Sequence, residues 1–292
     1  MSVTEKALWV IERNHGRDLT LDDIAQACGV SKYHLAHAFG QSTGAAVMQY
    51  ARGRRLTEAA QALANGAKDI LDLALGSGYS SHEAFSRAFR SRFGVSPESV
   101  RANGTLDGLA IVKPMRVPDR PAAQIHAPQF ISANEICCIG MSEHYMFGAT
   151  EGIPGQWQRF MAVASGIPNR IQGIPIGVAM TVDAEGNFDY LCAVQVTAFT
   201  AEPSELVQLR IPARRYAVFE HRDHVATLWQ TYTAIWDEWL PTHDMTSADA
   251  PSIERHKETF DPRTGNGGVD VWIPIEAHRY GSDKGRVGGI SG

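Results

Sequence analysis

Apolar and polar positions follow a helical period through the first hundred residues of the chain. In the stretch SSHEAFSRAFRSRFGVSP, Phe85, Phe89 and Phe93 recur every four residues and therefore share one face of a helix. Arg87, Arg90 and Arg92 cannot lie on that apolar stripe, so they are expected on the outer face. The glycine and the proline that follow end the helix. The pattern predicts a short helix with an aromatic inner face and a basic outer face.

An earlier stretch, DIAQACGVSKYHLAHAFGQSTG, repeats the spacing of DLALGSGYSSHEAFSRAFRSRFG. In both, an alanine precedes a glycine by four positions, a serine-containing turn follows, and a later phenylalanine precedes a closing glycine. These are the parts of a helix-turn-helix unit, with a small residue at the crossing and a glycine in the turn. We expect Ser31, and Ser80 or Ser81, to cap the second helix of each unit, and Gly44 and Gly94 to end it. The repeat predicts two such units.

The segment between the two copies, AAVMQYARGRRLTEAAQALAN, predicts a connecting helix, because Leu56, Ala59, Ala60 and Leu63 mark one helical face. About 20 residues at about 1.5 Å each give roughly 30 Å of helix. One turn of B-DNA is about 34 Å. A connector of this length would hold the two units over successive major grooves, which indicates DNA binding.

Residues 1–102 resemble the DNA-binding domain of the AraC/XylS family of transcription regulators. The resemblance is carried by LTLDDIAQACGVSKYHLAHAF, by GRRLTEAAQAL and by ILDLALGSGYSSHEAFSRAFRSRFGVSPESVR. It implies an all-α domain with two helix-turn-helix units joined by a long helix. It also implies double-stranded promoter DNA as a partner, with RNA polymerase as a further candidate.

The outward positions of the two second helices are the candidate DNA contacts. The candidate base contacts are Lys32, Tyr33 and His37 in the first unit and His82, Glu83, Ser86 and Arg87 in the second. Arginine can bind guanine through two hydrogen bonds, and glutamate can accept one from the cytosine amino group. The candidate phosphate contacts are Arg52, Arg54, Arg55, Arg90 and Arg92. Phosphate contacts would strengthen binding to every sequence and make it depend on salt.

After a linker at residues 103–111, the pattern changes from helical to alternating. The strand candidates are AIVKPMRV, EICCIGM, IGVAMTV, YLCAVQV, LVQLRIPARRYAVFEH and VDVWIPI. Two helices are also predicted, at GQWQRFMAVAS and VATLWQTYTAIWDEWLP. Two sets of strands with one helix each predict an α+β domain with internal duplication.

Residues 110–280 resemble the GyrI-like domain, through IPARRYAVFEH, TAIWDEWLP, PSIERHKETFDP and VDVWIPI in this order. The resemblance implies an antiparallel sheet with two helices, arranged as duplicated βαβ-type modules. Behind an AraC-type domain, this arrangement resembles the Rob-type subgroup of AraC/XylS regulators. The expected organisation is a DNA-binding domain at 1–102, the linker, a small-molecule-binding domain at 112–280 and a flexible tail at 281–292.

The same resemblance implies that an acidic residue in an aromatic pocket recognises lipophilic cations, and the matching position is Glu254. A carboxylate among rings loses several kcal/mol of hydration, which an organic cation offsets through charge and cation–π contact. The candidate rings are Phe147, Trp157, Tyr190, Trp229, Trp236 and Trp272. Arg255 or His256, which follow directly, would remove this selectivity by pairing with the carboxylate.

Three functions stay open at this point. The second domain would sense a small molecule, or hydrolyse a strained electrophile with Glu254 as the catalytic base, or only contact another protein. No nucleophile triad or phosphate loop is visible, and no cofactor is expected. His221 and His224 have a metal-ligand spacing without a third ligand in register, so no metal is expected.

Composition limits the class of protein. The 292 residues are 44% hydrophobic and 20% charged, as in globular proteins. The net charge of −5 is uneven, since residues 1–104 hold 12 Lys and Arg against 10 Asp and Glu. The four cysteines lack CxxC spacing, no apolar run reaches the roughly 18 residues of a spanning helix, and the N-terminus is amphipathic. These features favour a cytoplasmic protein without a membrane partner.

Overall fold

The chain folds into a helical part followed by a part built on a β-sheet. The computed structural model describes residues 1–117, 123, 125–199, 205–243 and 245–277. The helices of the first part are α1 (Val3–Arg13), α2 (Leu21–Cys28), α3 (Lys32–Thr43), α4 (Val47–Ala64), α5 (Ile70–Gly76), α6 (His82–Phe93) and α7 (Pro97–Asn103). Helices α2 and α3 form the first predicted helix-turn-helix unit, and α5 and α6 form the second. Helix α4 connects them with 18 residues, which is about 27 Å of helix.

Polar caps and glycines define the ends of α3 and α6. The side chains of Ser31 and Ser81 each accept a hydrogen bond from the backbone amide three residues later, as N-cap serines do. Gly44 and Gly94 end the two helices with φ of 69° and 73°, a conformation that favours glycine. The predicted caps and ends are confirmed, with Ser81 rather than Ser80 as the second cap.

The second part contains one antiparallel sheet. Its strands are β1 (Gln129–Ala133), β2 (Ile136–Met146), β3 (Ile176–Ala179), β4 (Asn187–Gln195), β5 (Val207–Ile211), β6 (Arg214–His221), β7 (Met245–Ser247), β8 (Ser252–His256) and β9 (Val269–Ala277). Within the described residues the strand order is β1-β6-β9-β8-β3-β4-β2-β5, and β7 pairs with β9.

The segment AIVKPMRV at 110–117, predicted as a strand, forms no ladder. Its backbone amides instead donate hydrogen bonds to side chains of α4. The amide of Val112 donates to Thr57 Oγ1 over 2.9 Å, and the amide of Met115 donates to Tyr50 Oη over 3.0 Å. The segment therefore runs along the helical part as extended chain.

Two helices cover one face of the sheet. Helix α8 (Ile153–Ala164) follows β2. A second helix, here called the 228–242 helix, follows β6 and consists of α9 (Leu228–Thr233), a π-helical turn (Ala234–Trp239) and α10 (Leu240–Thr242). Phe160 of α8 packs on β2 and β4, and Trp236 packs on β6 and β9. The predicted antiparallel sheet with two helices and a repeated strand-helix plan is confirmed.

The two parts contact each other through α1, α3 and the 228–242 helix, whose buried residues share one core. Within the described part of the chain, no helix combines the length and the apolar character needed to cross a bilayer. The predicted tail at 281–292 lies outside the described residues, and the predicted domain boundaries stay a prediction.

Candidate functional site

The carboxylate of Glu254 lies on the helix-covered face of the sheet. It is near the middle of the sheet, where β8 pairs with β3. Strand β8 places Glu254 opposite Gly177 of β3 and Val271 of β9. Tyr190 of β4 donates a hydrogen bond to Oε2 over 2.6 Å, and Tyr232 of the 228–242 helix donates one to Oε1 over 2.8 Å. Each carboxylate oxygen therefore accepts a hydrogen bond from one phenol.

The missing side chain at Gly177 lets the ring of Tyr190 reach the carboxylate. A Cβ atom at this position would lie 2.1 Å from Tyr190 Oη and 3.1 Å from Glu254 Oε2. The first distance is far below van der Waals contact, so the phenol would have to move. The close approach of Tyr190 to Glu254 thus depends on a glycine in the neighbouring strand.

The environment of Glu254 disfavours its charge. Burial raises the pKa of Glu254 above the usual carboxyl value, and the hydrogen bonds from Tyr190 and Tyr232 only partly oppose this. Desolvation and the nearby carboxylate raise the pKa of both tyrosines well above the usual phenol value. No cation of the described residues stabilises the ionised form of Glu254. Burial also lowers the pKa of His256 to about 4, so its ring is neutral at pH 7.

Further rings lie on the same side. His256 is two residues from Glu254 and shares its face of β8, and its ring centroid is 5.2 Å from that of Trp157 on α8. Trp229 lies one helical turn before Tyr232, so the two side chains project from the same side of the helix. Trp157, Tyr190 and Trp229 therefore remain candidates for effector contacts.

The three other predicted rings lie elsewhere. Trp272 pairs with the residue before Glu254 and therefore points to the opposite face of the sheet. There the guanidinium of Arg255 lies 4.5 Å from the Trp272 ring, so this arginine does not pair with Glu254 either. Phe147 lies at the contact between the two parts, 5.9 Å from the ring of His37. Trp236 lies at the same contact, with its ring centroid 4.5 Å from that of His37. The structure corrects all three effector assignments.

In the second helix-turn-helix unit, α6 keeps an exposed outer face. Its buried residues are Phe85, Ser86, Phe89 and Phe93. Glu83, Arg87 and Arg90 are exposed, as the aromatic stripe requires. His82 lies 3.3 Å from a glutamate of α7. Ser86 points inward, beside the phenylalanines, so its assignment as a base contact is corrected.

Helix α3, the counterpart of α6, is covered by the second part. Nine of its twelve residues are buried, against four of twelve in α6. Tyr33 donates a hydrogen bond to the carbonyl of Ala250 over 2.9 Å, and the His37 ring stacks on Trp236 at 4.5 Å. Lys32 is exposed and pairs with an aspartate of α2. Tyr33 and His37 cannot contact bases in this conformation, which corrects their assignment.

The arginines predicted to contact phosphate differ in accessibility. The side chain of Arg54 is 4% exposed and forms ion pairs with Glu12 at 2.8 Å and with a glutamate one turn later at 2.7 Å. Arg55 is 8% exposed and pairs with an aspartate at 2.5 Å. Their guanidinium groups are engaged inside the domain, so they are structural residues. Arg52 is 54% exposed, and Arg92 donates to a backbone carbonyl at position 110.

Two residues of these sites were missed in the sequence. Tyr232 follows Trp229 by three positions in TLWQTYTAIW, so helical spacing could have placed it beside Glu254. Asp237 binds Thr4 and Ser42, which precede it by about two hundred residues. No local pattern signals that contact.

The histidines of HRDH serve the fold. His221 Nδ1 lies 2.8 Å from Thr231 Oγ1, and its Nε2 lies 3.1 Å from the carbonyl oxygen of His224. One ring nitrogen therefore connects β6 to the helix that follows it, and the other contacts the loop between them. In the part of the chain that the structure describes, no group of three or more His, Cys, Asp and Glu side chains could hold a metal ion.

Comparison with known proteins matches the two parts of the chain to two kinds of domain. Residues 126–276 match the model of the GyrI-like small molecule binding domain, and residues 24–103 match a helix-turn-helix domain. The chain is 23% identical to the transcriptional regulator Rob of Salmonella typhimurium over 277 residues, which cover 92% of this chain and 94% of Rob. It is 41% identical to the probable transcription factor PqrA of Proteus vulgaris over 96 residues, 33% of this chain and 77% of PqrA. The solved structure of SAV2435 bound to tetraphenylphosphonium is 19% identical and covers 52% of this chain and 94% of its own, with a TM-score of 0.44.

Proposed function

Because the chain belongs to the family of GyrI-like small molecule binding domains and carries an AraC-type helix-turn-helix domain before it, we propose that it is a transcription regulator that binds a lipophilic cation at Glu254. The observation that carries the ligand class is the state of that carboxylate. It accepts hydrogen bonds only from Tyr190 and Tyr232 among the described residues and has no cationic partner there.

A cation fits this site better than a neutral or anionic molecule. The ionised carboxylate is costly in its present surroundings, since desolvation outweighs the two phenol hydrogen bonds and raises its pKa. A ligand with positive charge would recover the lost electrostatic energy, and rings such as Tyr190 and Trp157 would contact its apolar groups. An anion would add repulsion in a poorly solvated place.

Replacing Glu254 by glutamine is expected to weaken binding of tetraphenylphosphonium tenfold or more, because glutamine keeps the size and loses the charge. Isothermal titration of the full chain measures the affinity. Triphenylphosphine oxide, a neutral molecule of similar shape, serves as the ligand control, and Glu238→Gln on an exposed position serves as the protein control. Equal affinity of the wild type and Glu254→Gln for the cation would contradict the proposal.

For the DNA-binding domain, we propose that α6 reads bases through Arg87 and Glu83, while Arg52 and Arg90 contact phosphates. The support is exposure, because these four side chains reach solvent from α4 and α6 while the phenylalanines of α6 are buried. Lys32, the first residue of α3, and His82, the first residue of α6, are additional candidates for DNA contacts.

Replacing Arg87 by alanine is expected to cost about 1–3 kcal/mol of binding to the preferred sequence, through loss of one base contact. The preferred duplex is first selected from a random pool with the wild-type chain. Mobility shifts then compare this duplex with a scrambled one. Arg90→Ala is the matched control, and it should weaken binding to both duplexes alike. The same uniform loss in Arg87→Ala would show a phosphate contact instead.

A further inference from the structure

We infer that the GyrI-like domain covers α3, the recognition helix of the first helix-turn-helix unit, in a closed form in which this helix cannot enter a DNA groove, and that a cation at Glu254 releases it. The second half of this inference rests on the proposed function. The first half rests on the contrast between two equivalent helices. Of their twelve residues each, nine are buried in α3 and four in α6.

Hydrogen bonds fasten the helical domain to the π-helical turn of the 228–242 helix. One carboxylate oxygen of Asp237 accepts from the backbone amide of Thr4 over 2.9 Å, and both oxygens accept from its hydroxyl over 3.0 and 2.9 Å. The hydroxyl of Ser42, at the end of α3, also donates to Asp237. The ring of His34 lies 2.6 Å from the carbonyl oxygen of Trp236. These groups are buried. If the two domains separated, the groups would form hydrogen bonds with water instead.

Small residues on α3 make room for the second domain. A Cβ atom at Gly40 would lie 2.2 Å from the ring of Phe147, so this ring fits against the helix only because Gly40 has no side chain. Ala36, one turn earlier, is 6% exposed and packs in the same cluster as Phe147. Across from them, Trp236 stacks on His37 with an interplanar angle of 11°. The side of α3 that carries the predicted base contacts is therefore shaped to the second domain.

The closed form leaves one recognition helix, α6, free. A helix enters the major groove, about 12 Å wide, only if its outer side chains are uncovered. In α3, Tyr33 and His37 contact the second domain, whereas in α6 Glu83 and Arg87 are exposed. The closed protein can therefore place α6 in a groove, but α3 can follow only after the two domains separate.

One helix connects the ligand site to this contact. Tyr232, which donates to Glu254, lies four and five residues before Trp236 and Asp237, which hold α1 and α3. A cation that binds the carboxylate takes over interactions that now belong to Tyr232. The 228–242 helix is then free to shift, provided that the cation binds the shifted form more tightly than the closed form.

Two variants test the closed form from opposite sides. Asp237→Ala removes the acceptor for Thr4 and Ser42, and Gly40→Ala places a methyl group against Phe147. Each is expected to bind the selected duplex about tenfold more tightly than the wild type and to extend the footprint by about one helical turn. The controls are Glu238→Ala, an exposed neighbour of Asp237, and Gly76→Ala, a helical glycine with open space around its Cβ position.

Unchanged affinity and footprint in Gly40→Ala would overturn the inference, even if Asp237→Ala failed to fold. Hydrogen exchange of residues 32–43 supplies the second readout and is expected to rise in both variants. Tetraphenylphosphonium should raise it in the wild type and leave it unchanged in Glu254→Gln. Binding of the cation without a change in exchange or DNA affinity would refute the release step while the proposed function stood. Absence of binding would refute the proposed function, and the two variants would still decide whether α3 is held shut.

Discussion

Replacing Arg54 by alanine is expected to lower the free energy of unfolding by about 3–5 kcal/mol, as breaking a buried ion pair does. The side chain is 4% exposed and joins α1 to α4 through Glu12, and its Nη1 also donates to the carbonyl of Val112 over 2.9 Å. Burial alone would raise the pKa of Glu12, but hydrogen bonds from Arg54 and Tyr50 lower it below the usual value. Without the guanidinium, that carboxylate loses its counterion and Val112 loses its donor.

Arg52→Ala is the matched control, two residues away on the same helix. Its ion pair with Glu185 is about half exposed on both sides, so its loss should change stability by less than about 1 kcal/mol. The two variants should separate in DNA binding as well. Arg52→Ala is expected to reduce the slope of the logarithm of the DNA-binding constant against the logarithm of salt concentration by about one. Arg54→Ala should leave this slope unchanged under conditions in which the protein stays folded. Urea denaturation and salt titrations measure both quantities, and equal stability of the two variants would argue against a structural role for Arg54.

Acidification to pH 5 is expected to lower the free energy of unfolding by about 2 kcal/mol because of His37. Replacing His37 by phenylalanine is expected to remove this loss. Burial lowers the pKa of this ring to about 3 from an ordinary value of 6.5. The open or unfolded chain therefore takes up a proton that the closed form refuses, and stability falls as the pH drops from about 6.5 towards 3. A pH of 5 lies about 1.5 units below the ordinary pKa of 6.5. At about 1.4 kcal/mol per unit, this lowers the free energy of unfolding by about 2 kcal/mol.

The substitution keeps the aromatic stack on Trp236 and removes two ring nitrogens that have no hydrogen-bond partner among the residues that the structure describes. We therefore expect His37→Phe to be at least as stable as the wild type at pH 7.5 and much less sensitive to acid. Burial also lowers the pKa of His34, so this residue adds acid sensitivity to both proteins. Asp237 acts in the opposite direction, because burial raises its pKa. Urea denaturation at pH 7.5 and 5.0 gives the difference, and parallel pH profiles of the two proteins would contradict the assignment.

The features that could be predicted from the sequence are those fixed by near neighbours. Phe85, Phe89 and Phe93 form the inner stripe of α6 because helical geometry alone places residues four apart on one face. The caps at Ser31 and Ser81 act through amides three residues away, which is equally local. The antiparallel sheet and its two helices also agree with the alternating and helical periods of the second half.

The errors arose where a distant segment decides. Nothing in α3 itself shows that Tyr33 and His37 are covered, since their partners in the second part follow more than a hundred residues later. Arg52 and Arg54 lie on the same helix, and the glutamate one turn after Arg54 is visible in the sequence. The contacts of Arg54 with Glu12 of α1 and with the carbonyl of Val112 are not. Trp272 was assigned to the wrong face because the pairing register of β8 and β9 decides the direction of each side chain.

The π-helical turn at Ala234–Trp239 makes the 228–242 helix sensitive to its own length. Such a turn accommodates one residue more than α-helical pitch allows, so deleting one residue within it would restore regular pitch and leave the helix on either side facing as before. Tyr232 would stay beside Glu254, whereas Trp236 and Asp237, which lie inside the turn, would change the direction of their side chains. A deletion of one residue would thus break the contact with α1 and α3 while the carboxylate site stayed in place.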